Sequence, residues 1–107
     1  MPDLTIVYWR DIPAQVIVRA GRKAAKTELS KRFMEAIDAA AMRAGATESD
    51  AYLADWRRGR PAPCGDDMDR AVAEAAAAIE AAYDTTRLRQ LIEGGGKDAG
   101  NADRATP

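Results

Sequence analysis

The sequence predicts a small α+β domain of two layers, with strands and helices in the order ββαβα. Residues 4–9 (LTIVYW) and 16–18 (VIV) are rich in β-branched, aliphatic and aromatic residues, which favour strands. Two later stretches carry apolar residues at helical spacing. A chain of 107 residues with 47% hydrophobic content has material for one core. We therefore expect a three-stranded sheet with two helices on one face.

The first two strands are predicted to form a hairpin around Asp11, Ile12 and Pro13. Proline fixes its own φ and pushes the preceding residue into an extended conformation, so the first strand should end near Arg10. Side chains alternate between the two faces of a strand, and residues 4–9 are mostly apolar on both. One face can pack on the core while the other is left for a partner.

The first helix is predicted over residues 28–44. Gly21 ends the second strand, and the basic stretch 22–26 is expected to lead into the helix. Gly45 supplies the glycine that commonly ends one. The apolar face is defined by residues spaced four, four, three and four apart, namely Leu29, Phe33, Ile37, Ala40 and Ala44.

The second half predicts one more strand and a second helix. Residues 51–57 (AYLADWR) alternate as a third strand would, and Gly and Pro mark residues 58–65 as a loop. Carboxylates at 66–69 favour a helix start, with Val72, Ala76, Ile79 and Tyr83 as its inner stripe. Asp84 and the two threonines after it can cap a last short helix. We expect a domain over residues 1–93 and a disordered tail over 94–107.

Histidine is absent from the chain, and this excludes several kinds of site. A Ser-His-Asp triad, a histidine general base and the usual catalytic zinc site all need imidazole. Asp66, Asp67 and Asp69 lack the glutamate of a calcium loop and are interpreted as helix caps. We therefore expect a protein without catalytic residues, metal or cofactor.

Targeting and redox features are sparse. Cys64 is the single cysteine, which allows no disulfide within the chain and agrees with a reducing compartment. No apolar run approaches the roughly 20 residues that span a bilayer, and residues 1–20 lack a secretory pattern. The prediction is a cytoplasmic protein that does not enter a membrane.

Aromatic and basic residues give the first candidate site. The aromatic group Trp9, Tyr52 and Trp56 could project together from a sheet face not covered by helices, flanked by three arginines: Arg10, Arg19 and Arg57. Such a surface suits a protein partner, and it also suits stacking and anion contacts with nucleic acid or a flat cofactor. The alternative is that the tryptophans pack in the core, and the sequence leaves both interpretations open.

A second candidate site is an anion site at Arg22, Lys23 and Lys26. Residues 1–32 hold seven Arg and Lys against three Asp and Glu, a net charge of +4 in a chain whose net charge is −1. If the stretch precedes a helix, the helix N-terminus would add backbone amides. Solvated lysines are the alternative. The basic first third favours a nucleic-acid-binding module as the alternative function, and the acidic remainder opposes it.

Three stretches carry a resemblance to a known family. They are residues 8–16 (YWRDIPAQV), 32–38 (RFMEAID) and 51–56 (AYLADW). Together they resemble the small bacterial "virulence factor" family, whose module also occurs in conserved virulence factor C. The resemblance implies an accessory protein of a folate- or corrinoid-dependent one-carbon enzyme, and it supplies no catalytic residues. The helical repeats and extra N-terminal domain of the larger relative have no counterpart here.

Overall fold

The computed structural model describes residues 2–97, except for the side chain of Ser49. Its strands are β1 (Asp3–Trp9), β2 (Ile12–Ala20), β3 (Lys23–Glu28), β4 (Trp56–Arg58) and β5 (Ala62–Pro63). Its helices are α1 (Lys31–Ala44), α2 (Ser49–Ala54), α3 (Met68–Ala82) and α4 (Thr85–Glu93). The predicted α+β class is confirmed. The predicted numbers of three strands and two helices are too small for the described residues.

The sheet is antiparallel and has the strand order β3-β2-β1-β4, with β5 paired to the start of β1. The predicted hairpin of β1 and β2 is confirmed, but its turn is Arg10–Asp11, and Ile12 and Pro13 belong to β2. The pairing passes from Val7 with Gln15 to Tyr8 with Pro13, so Ala14 is the extra residue of a bulge. A bulge is where a strand in the middle of a sheet can accept a proline.

Strand β3 corrects the prediction that residues 22–26 lead into a helix. Gly21 has a φ of 62°, which allows a tight turn and folds the chain back along β2. The pairing runs from Ala20 with Lys23 to Gln15 with Glu28. Helix propensity of Lys and Ala is weak compared with a ladder of backbone hydrogen bonds, so tertiary context decides. Helix α1 therefore starts at Lys31, three residues later than predicted.

The prediction of a third strand over residues 51–57 is also corrected, because most of this stretch is helical. Helix α2 occupies Ser49–Ala54, and only Trp56–Arg58 pairs with β1 as β4. The alternation of aromatic residues predicted a strand, but Tyr52 and Trp56 are also four residues apart, a spacing that suits one face of a helical turn. The loop predicted over 58–65 contains the two-residue strand β5.

The predicted features of the longer helices are largely confirmed. Helix α1 buries Phe33, Ala36, Ile37 and Ala40 and ends at Gly45, whose φ is 73°. Helices α3 and α4 are capped by carboxylates as expected. The side chain of Asp67 accepts a hydrogen bond from the amide of Arg70 at 3.1 Å, and that of Asp84 accepts one from the amide of Arg87 at 2.8 Å. Both caps satisfy amides that a helix start leaves unpaired.

The two faces of the sheet differ in what they pack against. Helix α3 packs on β2 and β3, while α1 packs on β2 and on α4. Val16 and Val18 are fully buried in the core, with Leu4 and Ile6 packed against it. The opposite face, here called the open face, carries four residues that lie outside the core cluster: Thr5, Val7, Gln15 and Ile17. Of these, Ile17 is only 7% exposed. Alternation along β1 and β2 places these four side chains together.

The segment after α4 continues the fold beyond the predicted domain boundary at residue 93. Gly95 and Gly96 are buried, and the carbonyl of Gly96 accepts a hydrogen bond of 2.8 Å from the amide of Asp11. The remainder of the predicted tail, residues 98–107, lies outside the described residues. Within residues 2–97 no helix is long and apolar enough to cross a bilayer.

Candidate functional site

Trp9 is a core residue. Its side chain is 0% exposed, its indole Nε1 donates a hydrogen bond of 2.8 Å to the carbonyl of Tyr52, and the two rings stack with centroids 5.8 Å apart. A buried indole needs such a partner for its N–H. A side chain without exposed surface cannot contact a partner, so Trp9 is removed from the predicted interaction surface.

Arg10 and Arg57 hold the hairpin turn. Arg10 has a φ of 54°, a conformation that side chains other than glycine seldom adopt. Its Nε pairs with Asp55 at 3.1 Å, its Nη1 donates to the carbonyl of Gly95 at 2.7 Å, and its guanidinium lies over the Trp9 ring at 4.9 Å. These contacts tie the turn to α2 and to the segment after α4.

Arg57 completes the same arrangement from β4. Its Nε donates to the carbonyl of Arg10 at 2.8 Å, its Nη2 pairs with Asp11 at 3.2 Å, and its guanidinium lies over the Tyr8 ring at 4.5 Å. Both arginines make contacts within the fold, and the Arg57 side chain is still 50% exposed, so their role in partner binding stays a prediction. The distinctive stretch at residues 8–13 thus has a structural role. The contacts that hold the hairpin turn to the rest of the fold are here called the lock.

Of the predicted aromatic residues, Trp56 is the one that borders a cavity of the open face. This cavity, here called the sheet groove, has a volume of about 380 Å³ and is lined by Val7, Ala14, Gln15, Glu28, Met34 and Trp56. Trp56 is half-buried and packs edge-on against Tyr52, with ring centroids 5.9 Å apart. Tyr52 is half-buried on α2 and bridges the two tryptophans. Arg19 is exposed on β2.

The sequence contained a signal for part of this groove. Apolar residues on both faces of β1 indicated that one face lacks a cover, and Val7 lies on that face. Met34 interrupts the polar side of α1, and its side chain is 39% exposed. No local pattern could join Val7 to Met34, because they meet only through the packing of α1 on β2.

Arg22, Lys23 and Lys26 do not surround a helix N-terminus. Arg22 lies in the turn after β2, while Lys23 and Lys26 are exposed on β3. The start of α1 is occupied by an internal carboxylate. Glu80 accepts hydrogen bonds from the amide and hydroxyl of Ser30 at 2.6 and 2.7 Å. The predicted placement of these cations before a helix is therefore wrong, while anion binding by Arg22, Lys23 and Lys26 stays a prediction.

Glu80 fastens α3 to α1, and its ionisation should influence stability. Arg32 pairs with it at 3.0 Å and donates to the carbonyls of Glu80 and Tyr83. Desolvation by burial acts to raise the pKa of Glu80, but the hydrogen bonds from Ser30 and Arg32 outweigh it and hold that pKa below 4.5. The stabilisation is complete above the unfolded pKa and is lost as the pH falls through the folded one.

We expect Glu80→Gln to lower the free energy of unfolding by about 1 kcal/mol at neutral pH, since charged hydrogen bonds are replaced by neutral ones on a partly exposed group. Urea denaturation at several pH values measures it. The difference from the unsubstituted chain should shrink as the pH falls below 4.5. Glu74→Gln is the control, because the Glu74 side chain is 66% exposed in its pair with Arg70. A pH-independent loss for Glu80→Gln would contradict this account.

Tyr8, Tyr52 and Cys64 are half-buried. Burial raises the pKa of both Tyr8 and Tyr52 above the usual value for tyrosine. Cys64 packs against the core. Among residues 2–97 there is no group of three His, Cys, Asp or Glu side chains that could hold a metal ion.

Comparison with known proteins gives one family. The model of a family described as "Virulence factor" matches residues 7–92, which begin in β1 and end in α4. The matched residues include the hairpin turn, all residues that line the sheet groove and the pair formed by Glu80 and Ser30. No curated protein and no solved structure matches the chain.

Proposed function

The chain belongs to the virulence factor family, and we propose that it is a non-catalytic module that binds a protein partner through the sheet groove. The observation that carries the proposal is the composition of this groove. Four of its six lining residues are apolar, namely Val7, Ala14, Met34 and Trp56. Aromatic and methionine side chains are enriched in the interfaces between proteins. A few such buried side chains commonly supply most of the binding energy.

The polar residues of the groove indicate how a partner would be oriented. Gln15 and Glu28 lie opposite each other on β2 and β3 and border the apolar part. An amide and a carboxylate beside an apolar pocket can accept hydrogen bonds from a partner whose apolar side chain fills it. The occupant we propose is thus an apolar side chain with a hydrogen-bond donor next to it.

The resemblance described above suggests where to search for the partner. It implies an accessory role beside folate- or corrinoid-dependent one-carbon enzymes. We therefore propose such an enzyme as the partner, with the chemistry residing in the enzyme. The lack of histidine supports a role without catalysis, because histidine is the most common general base.

The test compares two methionines of α1. Met34 lines the groove, whereas Met42 is 72% exposed and lies outside it. Met34→Glu should weaken binding of the enzyme by roughly 30-fold or more, as loss of a hot spot of about 2 kcal/mol does. Met42→Glu should change it little. Calorimetric titration against a panel of purified one-carbon enzymes measures both.

Trp56→Ala provides a second, independent variant for the same titration. It should also abolish tight binding, but at some cost in stability, since Trp56 packs against Tyr52. Equal binding by the Met34 and Met42 variants would refute the groove. Failure of every enzyme in the panel to bind would refute the one-carbon partner.

The alternative function is a module that binds nucleic acid or another polyanion, and one observation favours it. Four cations are exposed in the region of β2 and β3, namely Arg19, Arg22, Lys23 and Lys26. The burial of Trp9 opposes it, because a stacking platform needs exposed rings. Binding through several phosphates would weaken steeply as the salt concentration rises, whereas binding in the apolar groove would not.

A further inference from the structure

Strand β3 has a free edge. Among the described residues it pairs with β2 and with no other strand. The amide of Leu29, which follows β3, donates to the carbonyl of Ala14 in β2 at 3.0 Å. Backbone groups of an antiparallel edge strand point alternately toward and away from its neighbour. The N–H and C=O groups of Ala24, Lys26 and Glu28 therefore point outward, where another strand could pair with them.

The charges along this edge are predominantly positive. Lys23 and Lys26 lie on β3 and Arg22 lies immediately before it, against Glu28 at its end. Arg19, directly opposite Ala24 on β2, adds a fourth exposed cation. None of these four cations forms an ion pair within the part of the chain that the structure describes.

These charges determine which kind of strand can pair. Lysines at a sheet edge oppose pairing between copies of the same chain, because like charges are brought together. The same lysines favour a strand of opposite charge, since opposite charges directly across a strand pair are stabilising. Lys23 and Lys26 are three residues apart and lie on opposite faces of the sheet. A complementary strand therefore carries carboxylates three residues apart.

We propose that the free edge of β3 binds an extended acidic segment of a protein by strand addition. The backbone of the segment pairs with Ala24, Lys26 and Glu28, and its carboxylates face Lys23 and Lys26. Strand addition is an established mode of peptide recognition, in which main-chain hydrogen bonds supply affinity and side chains supply specificity. This edge meets the sheet groove at Glu28, but it binds through backbone groups and does not depend on the function proposed for the groove.

The probe is the capped peptide TEVTEVT, titrated by fluorescence anisotropy at low salt. Aligned antiparallel, its two glutamates lie opposite Lys26 and Lys23. The peptide TKVTKVT should bind at least roughly tenfold more weakly, because both charge pairs become repulsive. A TEVTEVT peptide that is N-methylated on the residues facing β3 should lose binding to a similar extent, since it cannot donate to the edge.

Variants of the chain separate the charge from the backbone. The double variant Lys23→Glu and Lys26→Glu should invert the preference in favour of TKVTKVT. Lys31→Glu, on the first residue of α1, should not change it. Ala24→Pro removes an outward N–H and no charge while the ladder to β2 is kept, so it should weaken TEVTEVT binding with little change in the circular dichroism spectrum.

Four results would overturn the proposal. They are the absence of TEVTEVT binding to the unsubstituted chain, equal binding of the N-methylated peptide, tighter binding of an oligothymidylate than of TEVTEVT at the same cations, and self-association through β3 in sedimentation experiments. The Met34→Glu variant should bind TEVTEVT normally. Its failure to bind an enzyme partner would thus be distinguishable from a failure of the edge.

Discussion

Replacement of Trp9 by alanine should destabilise the protein by about 3–5 kcal/mol, the range for truncating a fully buried tryptophan. Three losses combine at this position. Truncation leaves a cavity in the core cluster, the carbonyl of Tyr52 loses the indole N–H at 2.8 Å, and the guanidinium of Arg10 loses the ring beneath it. Small domains have about 5–15 kcal/mol in total, so the variant should lose a large share of its stability and melt at a much lower temperature.

Trp9→Phe keeps the prediction testable if the alanine variant fails to fold. Phenylalanine fills much of the volume but has no N–H, so the expected loss is about 1–3 kcal/mol for an unpaired buried carbonyl and a smaller ring. Urea denaturation measures it. The matched control is Trp56→Phe, at a half-buried position directly opposite on β4, where the loss should be smaller. Equal losses at the two tryptophans would contradict the assignment of Trp9 to the core.

The elements that could be predicted from the sequence are those in which the local residue pattern agrees with the packing in the fold. The hairpin had β-branched strands and a proline, and α1 had a complete apolar face ending at Gly45. In strand β3 the residue pattern and the structure disagree. Its composition is typical of a solvated helix, whereas its structure depends on pairing with β2. Its edge position explains why few apolar residues were needed there. Short elements that depend on partners distant in sequence are the ones that local patterns miss.

The candidate site could likewise be predicted only in part from the sequence. Alternation along β1 correctly places Val7 and Trp9 on the same side of the strand. The sequence also indicated an uncovered face, which agrees with the position of Val7 in the sheet groove. Trp9 differs because Gly96 packs against its ring, and a glycine-rich stretch gives no apolar signal for packing. The contact that covers Trp9 therefore requires a glycine at residue 96.

Gly96→Ala should destabilise the protein by about 3 kcal/mol, the sum of a strained backbone and an overpacked contact. Its φ is 94°, and a Cβ there would lie 2.7 Å from Cζ3 of Trp9 and 3.2 Å from Cδ of Arg10. Neither neighbour can retreat easily, since Trp9 is fixed by Tyr52 and Arg10 by Asp55. The substitution should therefore displace the segment after α4 and break the bond between its carbonyl and the amide of Asp11.

Gly65→Ala is the control for this substitution. A Cβ at Gly65 would meet nothing within 4 Å, and its φ lies outside the left-handed range, so alanine should be neutral or slightly stabilising there. Thermal melts compare the two variants, and hydrogen exchange at the amide of Asp11 reports directly on the lock. If Gly96→Ala melts like Gly65→Ala and the Asp11 amide stays protected, then the segment after α4 does not hold Trp9 in place.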